Sequence, residues 1–145
     1  MRPPAPPTDA LATRLVRSAW RSLRGAFRSK NSTTFEHLHH GAVWLVVKVA
    51  KLDQAKAVAR FGARFVPPLD AATARVVFDD LRSVGTCLSR ALTIASRLHG
   101  AEVAFGFDPA RAPNFRPHAW VMLEGAELVA GDGCPTTLTT IRIAP

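Results

Sequence analysis

Apolar positions recur with a helical period through the first two thirds of the chain, and with a strand period after about residue 100. Thr8 or Asp9 can cap a first helix that runs to about Arg28, because their side-chain oxygens accept from free backbone N–H groups. Leu11, Leu15, Val16, Ala19, Trp20, Leu23 and Phe27 fill one half of it. A break at 30–34 leads into a second helix, roughly 34–52. It is apolar almost all round at 42–47, which predicts a central place in the core. A third helix is expected over 53–65, with Ala55, Ala57, Val58, Ala59, Phe61 and Phe65 as its apolar set, ended by Pro67 and Pro68. Asp70 caps a fourth, to about residue 84, with Ala74, Val77, Phe78 and Leu81 inward. After Gly85 and Thr86, residues 87–98 form a fifth helix that stops at Gly100.

Period-2 segments then predict strands at 102–107, 115–124, 127–130 and 137–143, with a turn at Gly125. The expected class is α+β: an N-terminal helical segment, then a Cys-bearing helix packed on an antiparallel meander. Residues 1–8, rich in proline, read as a disordered arm, 9–84 as the helical part and 85–145 as the core that carries chemistry. The whole suits one domain, since 145 residues suffice for a core without staples.

Composition narrows the class. The chain is 48% hydrophobic and 21% charged, with two cysteines, which excludes a disordered chain and a disulfide scaffold. No apolar run approaches the roughly 20 residues of a membrane span. Arginines interrupt the first 30 residues, so no secretory signal is expected, and the cytoplasm is the default location. Fifteen Arg stand against four Lys, with no Tyr, a usage that suggests a GC-rich bacterial genome. That composition argues against reading the Arg-rich start as an organelle transit peptide.

The charge is lopsided. Residues 1–52 hold nine Lys/Arg and two acids, net +7, while the remainder contributes +1. Arg14, Arg17, Arg21, Arg24 and Arg28 fall within about 80° of arc on the first helix. This stripe is either a solvated face or a docking face for a partner, nucleic acid or a membrane surface.

Three residues carry the candidate chemistry. Cys87 opens a helix, where partial positive charge and free N–H groups favour the nucleophilic thiolate. His118 lies on a strand, on one face with Trp120 and Met122. Asp132 stands near the next hairpin arm, between Gly131 and Gly133. A thiolate to attack a carbonyl, an imidazole to move the proton and a carboxylate to orient the ring make up a nucleophilic triad. The same residues also fit a buried small hydrophobe and a satisfied core histidine.

Here a family resemblance enters. Cys87-Leu-Ser-Arg-Ala-Leu92, then Gly106, then His118-Ala-Trp-Val121 and the Glu124-Gly125 turn resemble the transglutaminase-like cysteine peptidases of lasso-peptide biosynthesis, over about residues 73–133. The resemblance implies a papain/transglutaminase-like core, and a peptidase that removes the leader from a ribosomally made precursor peptide. It implies Cys87 as nucleophile, His118 as base and Asp132 as the orienting carboxylate, with Glu124 at the family's turn carboxylate and pointing to solvent. Asp132 stands a residue or two farther from the histidine than the pattern has it. Residues 1–84 contain no expected strand, which resembles the split form, whose leader-recognition protein is separate and whose released core passes to a cyclase. No cofactor, nucleic acid or membrane span is implied. The alternatives are a non-catalytic adaptor that docks through the basic helix, and another acyl-transfer enzyme of the superfamily, such as a transglutaminase or an amidase.

His37, His39 and His40 hint weakly at a metal, for only Glu36 stands near to complete a ligand set. Zinc on Cys87, His118, Asp132 and Cys134 lacks ligand spacing, so no metal is expected. Cys134 is an idle thiol or an oxidative partner for Cys87.

Overall fold

The computed structural model describes residues 34–83, 85–107, 117–129 and 136–143. The predicted first helix with its arginine stripe, the proline-rich arm, Asp132 and Cys134 lie outside them. Among the described residues four α-helices precede a four-stranded antiparallel sheet, so the α+β class holds. The helices are α1 (Thr34–Val49), α2 (Leu52–Ala63), α3 (Ala71–Asp80, extended by a 3-10 turn at Leu81–Ser83) and α4 (Cys87–Ala95). The strands are β1 (Ala101–Phe107), β2 (His118–Leu123), β3 (Ala126–Val129) and β4 (Thr136–Arg142).

Local chemistry sets the boundaries. Asp70 Oδ1 accepts from Thr73 N at 2.7 Å and starts α3. The inward set of α3 is the expected one, with Ala74, Val77, Phe78 and Leu81 all buried. Gly100, at φ +74, turns the chain after α4 into β1. The β2–β3 hairpin closes through Glu124 (φ 52) and Gly125 (φ 78), a two-residue turn with both φ positive. That geometry matches the right-handed twist of the flanking strands.

Three expectations are corrected. The strands do not form a four-strand meander: the order is β3-β2-β1-β4, with β4 on the free edge of β1 rather than beside β3. This placement sets Ile141 opposite Val103 and adds Ile143, 1% exposed, to the core. Nor is α1 an apolar core helix. Its buried residues are Glu36, His37, His39, His40 and Val43, whereas Phe35, Leu38, Leu45 and Val49 are exposed. Glu36, His39 and His40 find partners, while both ring nitrogens of His37 are buried without one among the described residues. Arg97 Nη2 donates to Glu36 Oε1 at 2.9 Å and to the Pro67 carbonyl at 2.8 Å. His39 Nε2 bonds the Ala59 carbonyl oxygen at 2.9 Å, and buried polar groups are accommodated when so satisfied. In the segment predicted as the third helix, likewise, only Ala55 and Ala59 of the expected apolar set are buried, while Phe61 of α2 and Phe65 just beyond it are exposed and stack edge to face on each other.

The helices of both predicted segments share one core. Val43, Ala55, Ala59, Val77 and Phe78 join Ala91, Leu92, Ile94 and Ala95 of α4 and Val103, Ala119 and Val121 of the sheet in a single cluster. α4 packs on β1 and β2, and α1 packs on α4 from the other side. Among the described residues no helix is long and apolar enough to cross a membrane.

Candidate active site

Cys87 is the first residue of α4, and Thr86 is its N-cap. Thr86 Oγ1 accepts from Ser89 N at 3.2 Å, and Ser89 Oγ accepts from Thr86 N at 3.0 Å. This reciprocal box satisfies two donors that a helix start leaves orphaned. Cys87 is a free, half-buried thiol at the margin of the core. One turn on, the Arg90 guanidinium lies 4.6 Å from the centroid of the Phe78 ring.

The sheet sets the histidine. The short connection 96–100 folds the chain back from α4 into β1, so the start of α4 lies toward the end of β1. There Gly106 pairs with His118, the first residue of β2. Cys87 and His118 are therefore borne by packed elements, α4 and β2. Gly106 has no side chain to crowd the ring beside it. Alternation along β2 directs Ala119 and Val121 into the core shared with α4. His118 alternates with Trp120 and Met122 on the other face, where Trp120 Nε1 donates to Met122 Sδ at 3.2 Å. α4, which bears Cys87, therefore packs on the face of β2 that carries Ala119 and Val121, whereas His118 alternates to the other face. His118 Nδ1 is buried and, among the described residues, has no hydrogen-bond partner.

Glu124 sits at the hairpin tip, exposed, where it orients nothing in the interior. His37, His39 and His40 are core residues of α1. Burial pulls all three below the ordinary histidine range. For His40 the Arg90 charge adds to burial, and its value falls to about 3. Among the described residues no group of three His, Cys, Asp or Glu side chains could hold a metal ion.

Sequence reasoning missed one connection at this site. His40 Nε2 lies 3.1 Å from Ser89 Oγ, 49 positions away. The signal was present in part, because His37 and His40 share a helical face and Ser89 stands at the third position of the predicted Cys87 helix.

No family model, curated protein or solved structure matches this chain.

Proposed function

We propose that this protein is a cysteine peptidase that cuts the leader from a ribosomally synthesised lasso-peptide precursor. The observation that carries this reading is Cys87. It is a half-buried free thiol on the first turn of a tightly capped helix, and that helix packs on the strand which His118 begins. The motif resemblance over residues 73–133 supplies the substrate class.

In this reading the Cys87 sulfur attacks the carbonyl carbon at the leader–core junction, and His118 takes up the thiol proton. The oxygen of the tetrahedral intermediate gains negative charge beside the first turn of α4. There the Ser89 and Arg90 N–H groups are already bonded to Thr86, which leaves the N–H groups of Cys87 and Leu88 as the donors for it. His118 then protonates the departing amine of the core peptide. A water molecule, deprotonated by His118, hydrolyses the thioester and releases the leader. Asp132 is the carboxylate proposed to face His118 Nδ1, which has no partner among the described residues, holding the ring's tautomer. A separate recognition protein delivers the precursor, and a cyclase receives the core. The arginine stripe at 14–28 is the proposed docking face for these partners.

The test is cleavage of the cognate precursor, followed by mass spectrometry in the presence of the recognition protein. Cys87→Ala abolishes it, Cys134→Ala retains most of it, and Asp132→Asn costs more than Glu124→Gln. Full activity in Cys87→Ala overturns the reading. Tight binding of the precursor complex with no cleavage by the unaltered protein replaces it with the adaptor. Cleavage-dead chain that transfers an acyl group to an amine instead points to the transglutaminase alternative.

A further inference from the structure

We infer that His40 of α1 is a positioning residue for the Cys87 thiol, acting through Ser89 and the Thr86 cap. The inference rests on Cys87 being the reactive residue of the proposed function.

The hydrogen-bond pattern determines how this works. The Ser89 hydroxyl has one proton and two lone pairs. Its oxygen lies 3.0 Å from the Thr86 carbonyl oxygen, which can only accept, so the proton goes there. Its lone pairs then face the Thr86 N–H at 3.0 Å and His40 Nε2 at 3.1 Å, with the Thr86 hydroxyl farther off at 3.4 Å. With its proton on Nε2, His40 donates to the serine and completes the closer set of bonds. The other ring nitrogen agrees, because Nδ1 is buried and has no partner among the described residues. A bare lone pair there costs less than an unpaired N–H. One side chain from α1 thus completes the coordination of the serine that closes the Cys87 helix.

Gly85 makes room for it. A Cβ at this position would stand 2.7 Å from Ser89 Oγ and 2.8 Å from His40 Cε1. Its φ of +83 also disfavours any side chain. The glycine thereby admits the imidazole against the start of the helix. His40 is 0% exposed. Burial and the neighbouring Arg90, His37 and His39 keep it neutral, so the bond persists across the pH range in which a thiolate works. Without this brace the first turn loses a bond that fixes the start of the helix, and Cys87 is held less firmly.

The experiment measures iodoacetamide alkylation of Cys87 in the full chain carrying Cys134→Ser. His40→Leu keeps the volume buried and removes the donor. It slows alkylation about two- to fivefold, the size of a helix-terminus effect, while thermal unfolding stays cooperative and no less stable. His40→Gln, whose amide N–H reaches the place of Nε2, restores the rate to within about twofold of the unaltered chain. Ser89→Ala and Gly85→Ala slow it as His40→Leu does, and they carry the test if the leucine variant does not fold. An unchanged rate in folded His40→Leu and Ser89→Ala overturns the inference, as does a glutamine variant no faster than leucine. Alkylation needs no substrate, so slowed labelling upholds the brace even where no precursor is cut. Precursor cleavage with labelling indifferent to His40 overturns the brace and leaves the peptidase standing.

Discussion

Glu36 and Arg97, 61 positions apart, form an ion pair of 2.9 Å with both side chains almost wholly out of solvent. The Arg97 Nε and Nη2 groups also donate to the Pro67 carbonyl, at 3.0 and 2.8 Å, and its own carbonyl accepts from Leu69 N at 2.9 Å. One guanidinium thus ties α1, the 64–70 connection and the end of α4. Removing either partner leaves a charge buried without compensation. Arg97→Leu is expected to lower stability by about 3–5 kcal/mol, and Glu36→Gln by less, since the amide oxygen still accepts. Urea denaturation of the three proteins measures both.

The three buried histidines of α1 make stability depend on pH. Their folded-state values lie below the ordinary one, chiefly through burial, with His40 down to about 3. In the unfolded chain each binds a proton as pH falls through about 6.5. The folded chain resists until lower pH, so stability present at neutrality is lost on acidification. For His40 the loss spans about pH 6.5 down to 3, with a limiting slope of about 1.4 kcal/mol per pH unit. Melting curves at pH 7, 6, 5 and 4 follow it, and His40→Gln removes its share of the slope.

Glu124 adopts a φ of 52 at the β2–β3 turn, where Asn and Gly are favoured and Glu is not. Glu124→Asn is expected to raise stability by about 0.5–1 kcal/mol, relieving part of that backbone cost. Precursor cleavage stays unchanged, because the side chain is exposed at the hairpin tip. A melting temperature below that of the unaltered chain would contradict this.

Gly62 of α2 faces the His39 ring, and a Cβ there would overlap His39 Cδ2. His39 cannot move aside without losing its bond to the Ala59 carbonyl. Gly62→Ala, although it favours a helix, is expected to cost about 1–3 kcal/mol through overpacking. The double variant Gly62→Ala with His39→Ala recovers part of the packing cost, which a thermodynamic cycle measures.

Local signals made most elements readable. Asp70 and Thr86 announce their helices because capping is a matter of three or four neighbouring residues. The inward set of α3 follows from its spacing alone. Cys87 stands where the Gly-Thr break placed it, and His118 pairs with Gly106 as the strand pattern allows. What could not be read depends on contacts far along the chain. A run such as 42–47 looks like core until Glu36 finds Arg97 and the helix turns its polar side inward. The place of β4 beside β1 follows from which sheet edge offers Ile141 a partner, which no short window reveals. The link from His40 to Ser89 is only half legible for the same reason, since spacing gives each residue its place but not the contact across 49 positions.

The order β3-β2-β1-β4 also bears on how the chain reaches this state. The β2–β3 hairpin closes over two residues and can form early. β1 and β4 must instead meet across everything that lies between 107 and 136, a non-local closure and therefore a slow one. Until it happens, the outer edge of β1 offers unpaired backbone donors and acceptors to any other strand in reach. During synthesis that interval lasts at least as long as β4 takes to emerge. Crowded expression then favours sheet pairing between chains, and slower, cooler synthesis favours pairing within one.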